Sequence, residues 1–515
     1  MKLKFLFLIL FLVSIGVSFT VNAQSQKIFY NVKDFGAKAD GITIDSDAIN
    51  KAIEAASYSG GGTIYFPAGT YASYTIRLKS NISLFIDQGA IILGAEETSA
   101  AGYDDPEPKT SYDAYQDFGH NHWKNSLIWG EGLHDISVVG QGLLWGKGLT
   151  TSDDENMPKG EGNKAIGLKL CRNVNIKDIS ILHGGHFAIL ATGVDNLTLD
   201  NLKVDTNRDG FDIDCCKNVH ISNCTVNSPN DDGICLKSSF ALGYARATEN
   251  ATIVNCQVSG YDEGTLLDGT FKRAVKKKYS DSTVTGRIKL GTESNGGFKN
   301  ITITNCLFDY SRGLALETVD GGLLEDINIS NITMRDITNS PIFIRLGARM
   351  RGPDSVKAGG CSRIILSNII AYNVDYRHGC IISGLQGNEI DDLQISNIRF
   401  YFKGGGTKDV ANRIVPEYEK DYPEPFYWKV MPAYGFFFRH VRNLKMHDVE
   451  ISFMNTDERP PFILDDVRGT DLHYIKAQKA PGVFSFILKN VQDINIHQVK
   501  GVKDILIKKA DKKEL

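Results

Sequence analysis

Apolar and polar residues alternate along most of the chain in short segments that recur every 22 to about 50 residues. The repeat reads NVNIKDISI, NLTLDNLKV, NVHISNCTV, NATIVNCQV and NITITNCLF, beginning at Asn173, Asn196, Asn218, Asn250 and Asn300. It continues from Asp326, Arg363, Asp392 and Asn443. Alternation with a period of two predicts half-buried strands. Short strands recurring at this spacing, without helices between them, are typical of an all-β, right-handed parallel β-helix.

The sixth position of the repeat is usually asparagine. Because the rungs of a parallel β-helix stack about 4.8 Å apart, equivalent residues form columns. We therefore predict an asparagine ladder with hydrogen bonds from rung to rung, formed by Asn201, Asn223, Asn255, Asn305, Asn331, Asn368 and Asn397. Cys224, Cys256 and Cys306 are expected in the next column as small buried residues.

The end of a solenoid needs a cover, and the segment DSDAINKAIEAASYSGGG predicts one. It reads as an amphipathic helix with Ser46 or Asp47 as N-cap and an apolar face of Ala48, Ile49, Ala52, Ile53 and Ala56. We expect one β-helix domain over residues 24–515, with an N-terminal cap region at 28–95 and the main rungs at 128–510.

Composition narrows the class of protein. The chain has 515 residues and a formal net charge of −4, so it carries no global signal for nucleic acid or membrane. Its nine cysteines are odd in number and lack the paired spacing of a zinc site. Residues 1–23 resemble a signal peptide, with Lys2 and Lys4 before an apolar run and small residues at the end. We expect an exported monomer, periplasmic or secreted.

Six-residue segments with mostly apolar residues at the third and fifth positions follow most repeats. They are DGFDID from Asp209, DGICLK from Asp232, EGTLLD from Glu263 and RGLALE from Arg312, with HFAILA from His186 and HGCIIS from His378 in similar phase. The apolar positions would face the core, and the first, fourth and sixth would line an outer groove. The groove would collect Asp209, Asp212, Asp214, Asp231, Asp232, Lys237, Glu263 and Asp268.

Clustered carboxylates repel one another across a sheet, so a merely structural face avoids them. They also push each other's pKa values apart, which separates a proton donor from a base. Glycoside hydrolysis requires such a pair. A calcium-dependent lyase would instead use carboxylates as metal ligands and a Lys or Arg as base. The residues alone leave both chemistries open.

The chain resembles glycoside hydrolase family 28, the polygalacturonase family, over nearly its whole length after residue 23. The resemblance rests on FGAKADGITIDSDAINKAI, GGGTIYFPAGTY and ISVVGQGLLWGKG, and on NRDGFDI and NDDGICLKS, which lie 22 residues apart. It implies hydrolysis with inversion and without a cofactor or metal. Asp231 would be the general acid, and Asp209 and Asp232 would position and deprotonate the attacking water.

Two family motifs are replaced. A Gly-His-Gly segment belongs on the rung after Asp231–Asp232, but both alignments of that rung, at Glu263 or near Thr285, lack histidine. The carboxylate-binding Arg-Ile-Lys motif corresponds in register to Ala315, Leu316 and Glu317, although RIK itself occurs at 287–289. We name as candidate substrate-binding residues Lys237, Glu263, Asp268, Glu317, Arg345 and His186.

These observations predict a hydrolase that cleaves an acidic, pectic glycan of plant type. Glu317 and Glu263 favour a neutral or deoxy sugar near the cut, as in a rhamnogalacturonan. Insertions near 268–286, 345–362 and 403–442 favour exo action, because they would wall off the groove. The alternatives are a calcium-dependent uronide lyase or epimerase, and a catalytically silent glycan-binding β-helix. Trp123 and Trp428 are expected either in the core or stacked on sugars.

Overall fold

A computed structural model describes residues 29–116, 119–151, 162–274 and 283–515. The predicted signal peptide lies outside these residues. The described chain forms the expected right-handed parallel β-helix, in which 35 strands belong to one continuous hydrogen-bonded system. No helix among the described residues is long and apolar enough to cross a membrane.

The first third of the fold contains helix α1 (Ser46–Tyr58) and ten short strands. The strands are β1 (Phe29–Asn31), β2 (Asp40–Ile44), β3 (Gly62–Phe66), β4 (Gly69–Ser73), β5 (Ile76–Arg77), β6 (Ile82–Ile86), β7 (Ala90–Gly94), β8 (Ile128–Glu131), β9 (His134–Gly140) and β10 (Leu143–Trp145).

The central rungs each contain three strands. These are β11 (Lys164–Lys169), β12 (Arg172–Lys177), β13 (Ser180–Leu182), β14 (Phe187–Thr192), β15 (Asp195–Asp200), β16 (Lys203–Asp205), β17 (Phe211–Asp214), β18 (Lys217–Ser222), β19 (Thr225–Asn227), β20 (Ile234–Ser238), β21 (Thr248–Val254), β22 (Gln257–Ser259), β23 (Ile288–Ser294), β24 (Phe298–Thr304), β25 (Leu307–Asp309) and β26 (Leu314–Thr318).

In the last rungs the two repeat strands merge into long ones. The elements are β27 (Leu323–Arg335), β28 (Ile342–Leu346), β29 (Gly360–Val374), β30 (Cys380–Ser383), β31 (Ile390–Gly404), α2 (Lys408–Ala411), β32 (Phe436–Asn455), β33 (Phe462–Ala477), β34 (Phe486–His497) and β35 (Ile505–Glu514). Strand β35 pairs antiparallel with β34, whereas every other pairing of named strands is parallel. The described residues also form 3₁₀ turns at Val32–Phe35, Asp113–Tyr115 and Pro425–Trp428.

The predicted asparagine ladder is present from Asn223 to Asn397. Asn201 lies outside this series, because its amide donates to Asp178 and the amide of Asn223 donates to Asp200. Asn255 Nδ2 donates to Asn223 Oδ1 at 3.2 Å, and Asn305 Nδ2 donates to Asn255 Oδ1 at 3.4 Å. Each has φ near +56°, a left-handed conformation that asparagine tolerates well. A second ladder, which the sequence reasoning missed, runs through the first position of the repeat, at Asn173, Asn196, Asn218, Asn250 and Asn300.

The cap helix α1 buries all five predicted apolar residues. Its N-cap is Asp45, however, and not Ser46 or Asp47. The Asp45 carboxylate accepts hydrogen bonds from the backbone N–H groups of Lys38 and Ala39, so its side chain fixes the preceding turn instead of the helix end. The nine cysteines are buried and unbridged, and Cys224, Cys256 and Cys306 lie in the core as expected.

Candidate active site

The predicted groove contains a cavity of about 190 Å³ over the groove strands, which are the first of the three strands in each central rung. Strands β14, β17, β20 and β23 lie side by side beneath it, with Ile189 opposite Phe211, Phe211 opposite Ile234 and Ile234 opposite Ile288. These apolar side chains point into the core, so the polar residues between and before them face the cavity. Its lining consists of His120, Phe187, Arg208, Asp209, Asp231, Asp232, Lys237, Lys289 and Tyr422.

Three carboxylates converge at the floor of this cavity, directly before β17 and β20. One oxygen of Asp209 and one of Asp232 lie within 4.8 Å of each other and of the Cys235 sulfur. Both aspartates are buried, with 2% exposure each. The Asp231 side chain is 30% exposed and accepts a hydrogen bond from Arg208 Nη2 at 2.8 Å. Asp231 is therefore the carboxylate most open to a ligand.

The surroundings of Asp209 and Asp232 shift the pKa values of these two buried carboxylates in opposite directions. Burial and the neighbouring Asp231 charge raise the pKa of Asp209 well above its ordinary value. Burial would also raise the pKa of Asp232, but Lys289 and Arg287 outweigh it and hold that pKa below the ordinary range. Asp232 thus stays ionised at pH values where Asp209 retains a proton, which is the arrangement that acid–base catalysis uses.

Lys237 connects the cavity to a buried network of charges. Its Nζ lies 3.2 Å from Asp212 Oδ2 and 3.4 Å from Glu293 Oε2. Burial alone would lower the pKa of Lys237, yet the Asp212 and Glu293 carboxylates raise it well above its usual value. His120 Nε2 lies 2.9 Å from the same oxygen of Asp212. Both cations that line the cavity here are therefore matched by buried carboxylates.

On the next rung, Lys289 likewise lies between two buried carboxylates. Its Nζ lies 3.3 Å from Asp232 Oδ2 and 3.6 Å from Glu317 Oε2. Glu317 is completely buried, and this burial raises the pKa of Glu317 to about 7 despite the opposing effect of Lys289. Glu317 thus lies behind the cavity wall, and its nearest contact with the site is Lys289.

The connection between β31 and β32 (residues 405–435), here called the Tyr422 loop, closes the Lys289 side of the cavity. Thr292 Oγ1 donates to the Tyr422 hydroxyl at 3.0 Å, and Lys289 Nζ lies 5.7 Å from the Tyr422 ring centre. Glu424 of the same loop bonds to the guanidinium of Arg287 and accepts from Arg312 Nη1 at 2.9 Å. An insertion thus completes a site whose other parts come from the rungs.

Four of the predicted site residues, Asp209, Asp231, Asp232 and Lys237, meet in the cavity. The structure assigns the rung after Asp232 to Arg287-Ile288-Lys289, because Cys235 pairs with Lys289. The segment TGRIKLGTE is therefore the equivalent of the family's Gly-His-Gly rung, and it contains no histidine. Pairing of Lys289 with Ala315 likewise confirms the register assigned to Ala315, Leu316 and Glu317.

The predicted groove positions of Glu263 and Asp268 are wrong. Their segment, EGTLLD, forms turns within the insertion between β22 and β23, and it imitates the groove phase by chance. Glu263 Oε1 lies 2.8 Å from His183 Nδ1, and Asp268 bonds to Thr270. Neither residue lines the cavity.

His186 and Arg345 also depart from their predicted places. Ile189 pairs with Phe211, so Phe187 rather than His186 lies level with Asp209 and lines the cavity. Arg345 is on groove strand β28 opposite Glu317, as expected. Its guanidinium, however, donates to Ser383 Oγ and to backbone oxygens of the Tyr422 loop, so it anchors that loop. Trp123 and Trp428 are both buried core residues.

The sequence reasoning missed Arg208 and Glu424 and set Arg287 aside. The phase of GTESNGGFKN, which follows the RIK segment as a repeat strand, was the signal that places Arg287 and Lys289 beside Asp232. No comparable signal exists for Glu424, because it lies 137 residues from Arg287 in an insertion.

The structure thus combines a parallel β-helix with a cluster of aspartates in an outer cleft, the kind of carboxylate arrangement that glycoside hydrolysis uses. Residues 90–260, which contain all three aspartates, match the model of glycosyl hydrolases family 28. Residues 29–127 match a model described as rhamnogalacturonase A/epimerase, pectate lyase-like. The resemblance of the chain to glycoside hydrolase family 28 is thereby confirmed.

Individual relatives agree with this family. The chain is 24% identical to a probable polygalacturonase of Vitis vinifera over 322 residues, which cover 59% of this chain and 60% of the relative. It is 31% identical to an exo-poly-alpha-D-galacturonosidase of Dickeya chrysanthemi over 209 residues, 40% of this chain and 33% of the relative. A 66-residue stretch is 52% identical to alginate lyase 7 of Azotobacter vinelandii, and it covers 13% of this chain and 8% of the relative. The chain thus spans 60% or less of these relatives.

Two solved structures share the fold. An exopolygalacturonase from Thermotoga maritima superposes with a TM-score of 0.57 at 19% identity, over 73% of this chain and 87% of that one. A family 28 exopolygalacturonase from Yersinia enterocolitica superposes with a TM-score of 0.52 at 16% identity, over 92% of this chain and 79% of that one.

Proposed function

We propose that the protein is an exported glycoside hydrolase that cleaves an acidic pectic glycan with inversion of configuration. The observation that carries the proposal is the trio of Asp209, Asp231 and Asp232, in which the surroundings raise the pKa of buried Asp209 and lower that of buried Asp232. Export is supported by the signal-peptide pattern of residues 1–23.

In this mechanism Asp231 protonates the leaving glycosidic oxygen, because it is the most accessible of the three carboxylates. Asp209 and Asp232 hold the attacking water between oxygens that lie within 4.8 Å of each other. Asp232, kept ionised by Lys289 and Arg287, takes up the proton of that water. After bond cleavage, the proton that Asp232 took from the water passes by way of Asp209 to Asp231, so all three carboxylates return to their starting state.

The proposed substrate is a glycan in which the sugar at the cut is neutral, as in a rhamnogalacturonan. Every cation that lines the cavity already contacts a carboxylate: Arg208 contacts Asp231, Lys237 and His120 contact Asp212, and Lys289 contacts Asp232 and Glu317. An acidic sugar bound there would compete with these buried partners. Uronic acids of the polymer would therefore bind outside the cavity.

We propose exo action for a geometric reason. The Tyr422 loop brings an aromatic ring and a buried carboxylate against the Lys289 side of the cavity. A polymer that continued past the cut on that side would meet this loop. Cleavage of terminal units is consistent with such a wall.

The test is a proton NMR time course on defined oligogalacturonides and rhamnogalacturonan oligosaccharides. The expected product is a new reducing end whose anomeric configuration is opposite to that of the cleaved bond. Asp231→Asn and Asp232→Asn should each reduce the rate by about 10²–10⁴-fold. Asp268→Asn is the matched control, because Asp268 is exposed and bonds only within its own turn among the described contacts.

Other outcomes identify the rival functions. Vinyl signals that require added calcium would indicate a lyase, and a changed sugar configuration without chain cleavage would indicate an epimerase. Binding without turnover, unaltered by Asp231→Asn, would indicate a glycan-binding β-helix. The hydrolase is favoured over a calcium site because Asp232 is already occupied by Arg287 and Lys289, and because Cys235, a neutral thiol at the third corner, is a poor ligand for calcium.

A further inference from the structure

The carboxylate of Asp232 is held on both oxygens by cations of the next rung. Arg287 Nε donates to Oδ1 at 2.7 Å, and Lys289 Nζ lies 3.3 Å from Oδ2. Each of the three residues is at most 3% exposed. The orientation of the Asp232 carboxylate therefore depends on where these two cations are held.

Arg287 is in turn held by Glu424. The Nη2 group of Arg287 bonds to one oxygen of Glu424, whose other oxygen accepts from Arg312 Nη1 at 2.9 Å. Glu424 is 4% exposed. A guanidinium is rigid and planar, so fixing Nη2 also fixes the direction of Nε toward Asp232.

The loop that carries Glu424 is itself anchored to the rungs. Arg345 Nη2 donates to the Glu417 carbonyl at 2.9 Å, and Arg439 Nη1 donates to the Val415 carbonyl at the same distance. These arginines lie on strands β28 and β32, which belong to the stacked sheet beneath the groove. The position of Glu424 is thus set by the scaffold rather than by the loop alone.

We infer that Glu424 is a positioning residue, which holds Arg287, and through it the carboxylate of Asp232, in the orientation that hydrolysis requires. This inference rests on the proposed function, in which Asp232 activates the water. Without Glu424, the Arg287 fork can turn both of its N–H edges onto Asp232 and occupy the oxygen that the water needs. Substrate binding by the outer cavity would remain.

The test is the steady-state kinetics of Glu424→Gln on the substrate found by NMR. We expect kcat to fall by about 10–100-fold, while KM stays within about twofold because the lost interaction serves the transition state. Glu424→Asp keeps the charge and should recover part of the loss. Glu419→Gln, on the same loop, is the control, since its backbone carbonyl rather than its side chain accepts from Ala348.

A double-mutant cycle with Arg287→Lys tests the route. If Glu424 acts through Arg287, Glu424→Gln should add little to the loss already caused by Arg287→Lys. Full additivity, an unchanged kcat in Glu424→Gln, or an equal loss in Glu419→Gln would each overturn the inference. If Glu424→Gln does not fold, the same double-mutant cycle is measured with Glu424→Asp, and the same criteria apply to its kcat. An active Asp232→Asn would instead refute the proposed role of Asp232, whatever Glu424 does.

Discussion

The same corner of the β-helix carries Asn223, Asn255 and Asn305 on successive rungs. The amides of Asn255 and Asn305 each donate to the asparagine one rung before. The outward column of the groove strands instead reads Asp212, Cys235, Lys289, Ala315 and Phe343 over five paired rungs. Both columns belong to the same solenoid and have the same spacing. Only the first column repeats.

The difference follows from the partner of each side chain. An asparagine amide is both donor and acceptor, so one residue type satisfies itself on every rung. A carboxylate needs a cation, so the groove alternates residue types and recruits further partners from insertions. Lys237, for example, lies between Asp212 on one neighbouring rung and Glu293 on the other. A repetitive column stabilises the fold, whereas a column of unlike residues forms a site.

The largest effect on stability is expected from breaking the buried network at Lys237. Lys237→Met leaves Asp212 and Glu293, both completely buried, without their ammonium partner. Breaking a buried pair by removing one partner costs about 3–5 kcal/mol, so the free energy of unfolding in urea should fall by that amount at pH 7. Lys476→Met, which removes the exposed Lys476–Glu450 pair, should cost at most about 1 kcal/mol. Equal losses would contradict the distinction between the two regions.

A somewhat smaller effect is expected from Glu317, and it depends on pH. Because burial raises the pKa of Glu317 to about 7 in the folded protein, the folded state binds this proton more tightly than the unfolded chain does. Its contribution is complete below about pH 4 and is lost as the pH rises through 7, which amounts to roughly 3 kcal/mol.

Glu317→Gln carries a permanent neutral group, so its free energy of unfolding should fall less between pH 4 and 8 than that of the wild type. Urea titrations at several pH values measure the slope. Glu325→Gln is the control, because Glu325 is paired with Arg363 on the exposed face. A wild-type slope in Glu317→Gln would mean that the buried glutamate does not titrate in this range.

The repeating part of the molecule was largely predictable from the sequence, because each rung forms the same local interactions. The strands, the ladder from Asn223 to Asn397 and the apolar face of the cap helix follow directly from the pattern. The aspartates at 209, 231 and 232 were also found, since they directly precede regular groove strands.

The rest of the site required the structure. EGTLLD matches the groove phase yet forms turns, so Glu263 and Asp268 were misplaced. A single-residue shift before β14 exchanged His186 for Phe187. Glu424 reaches Arg287 across 137 residues of chain, a pairing set by the path of an insertion rather than by any local pattern.

The smallest effect on stability is expected from the asparagine ladder. Two substitutions there distinguish the contribution of the asparagine side chain from that of the left-handed backbone conformation. Asn255 has φ of 56°, where alanine is strained and glycine is not. Asn255→Gly loses the amide hydrogen bonds but keeps a residue suited to the left-handed conformation, and it should reduce the free energy of unfolding by about 1 kcal/mol. Asn255→Ala should cost about 1–2 kcal/mol more, because a Cβ atom disfavours the left-handed conformation. If the two variants were equally stable, asparagine would be required on the rungs for its hydrogen bonds alone, and the left-handed turn would impose no selection of its own.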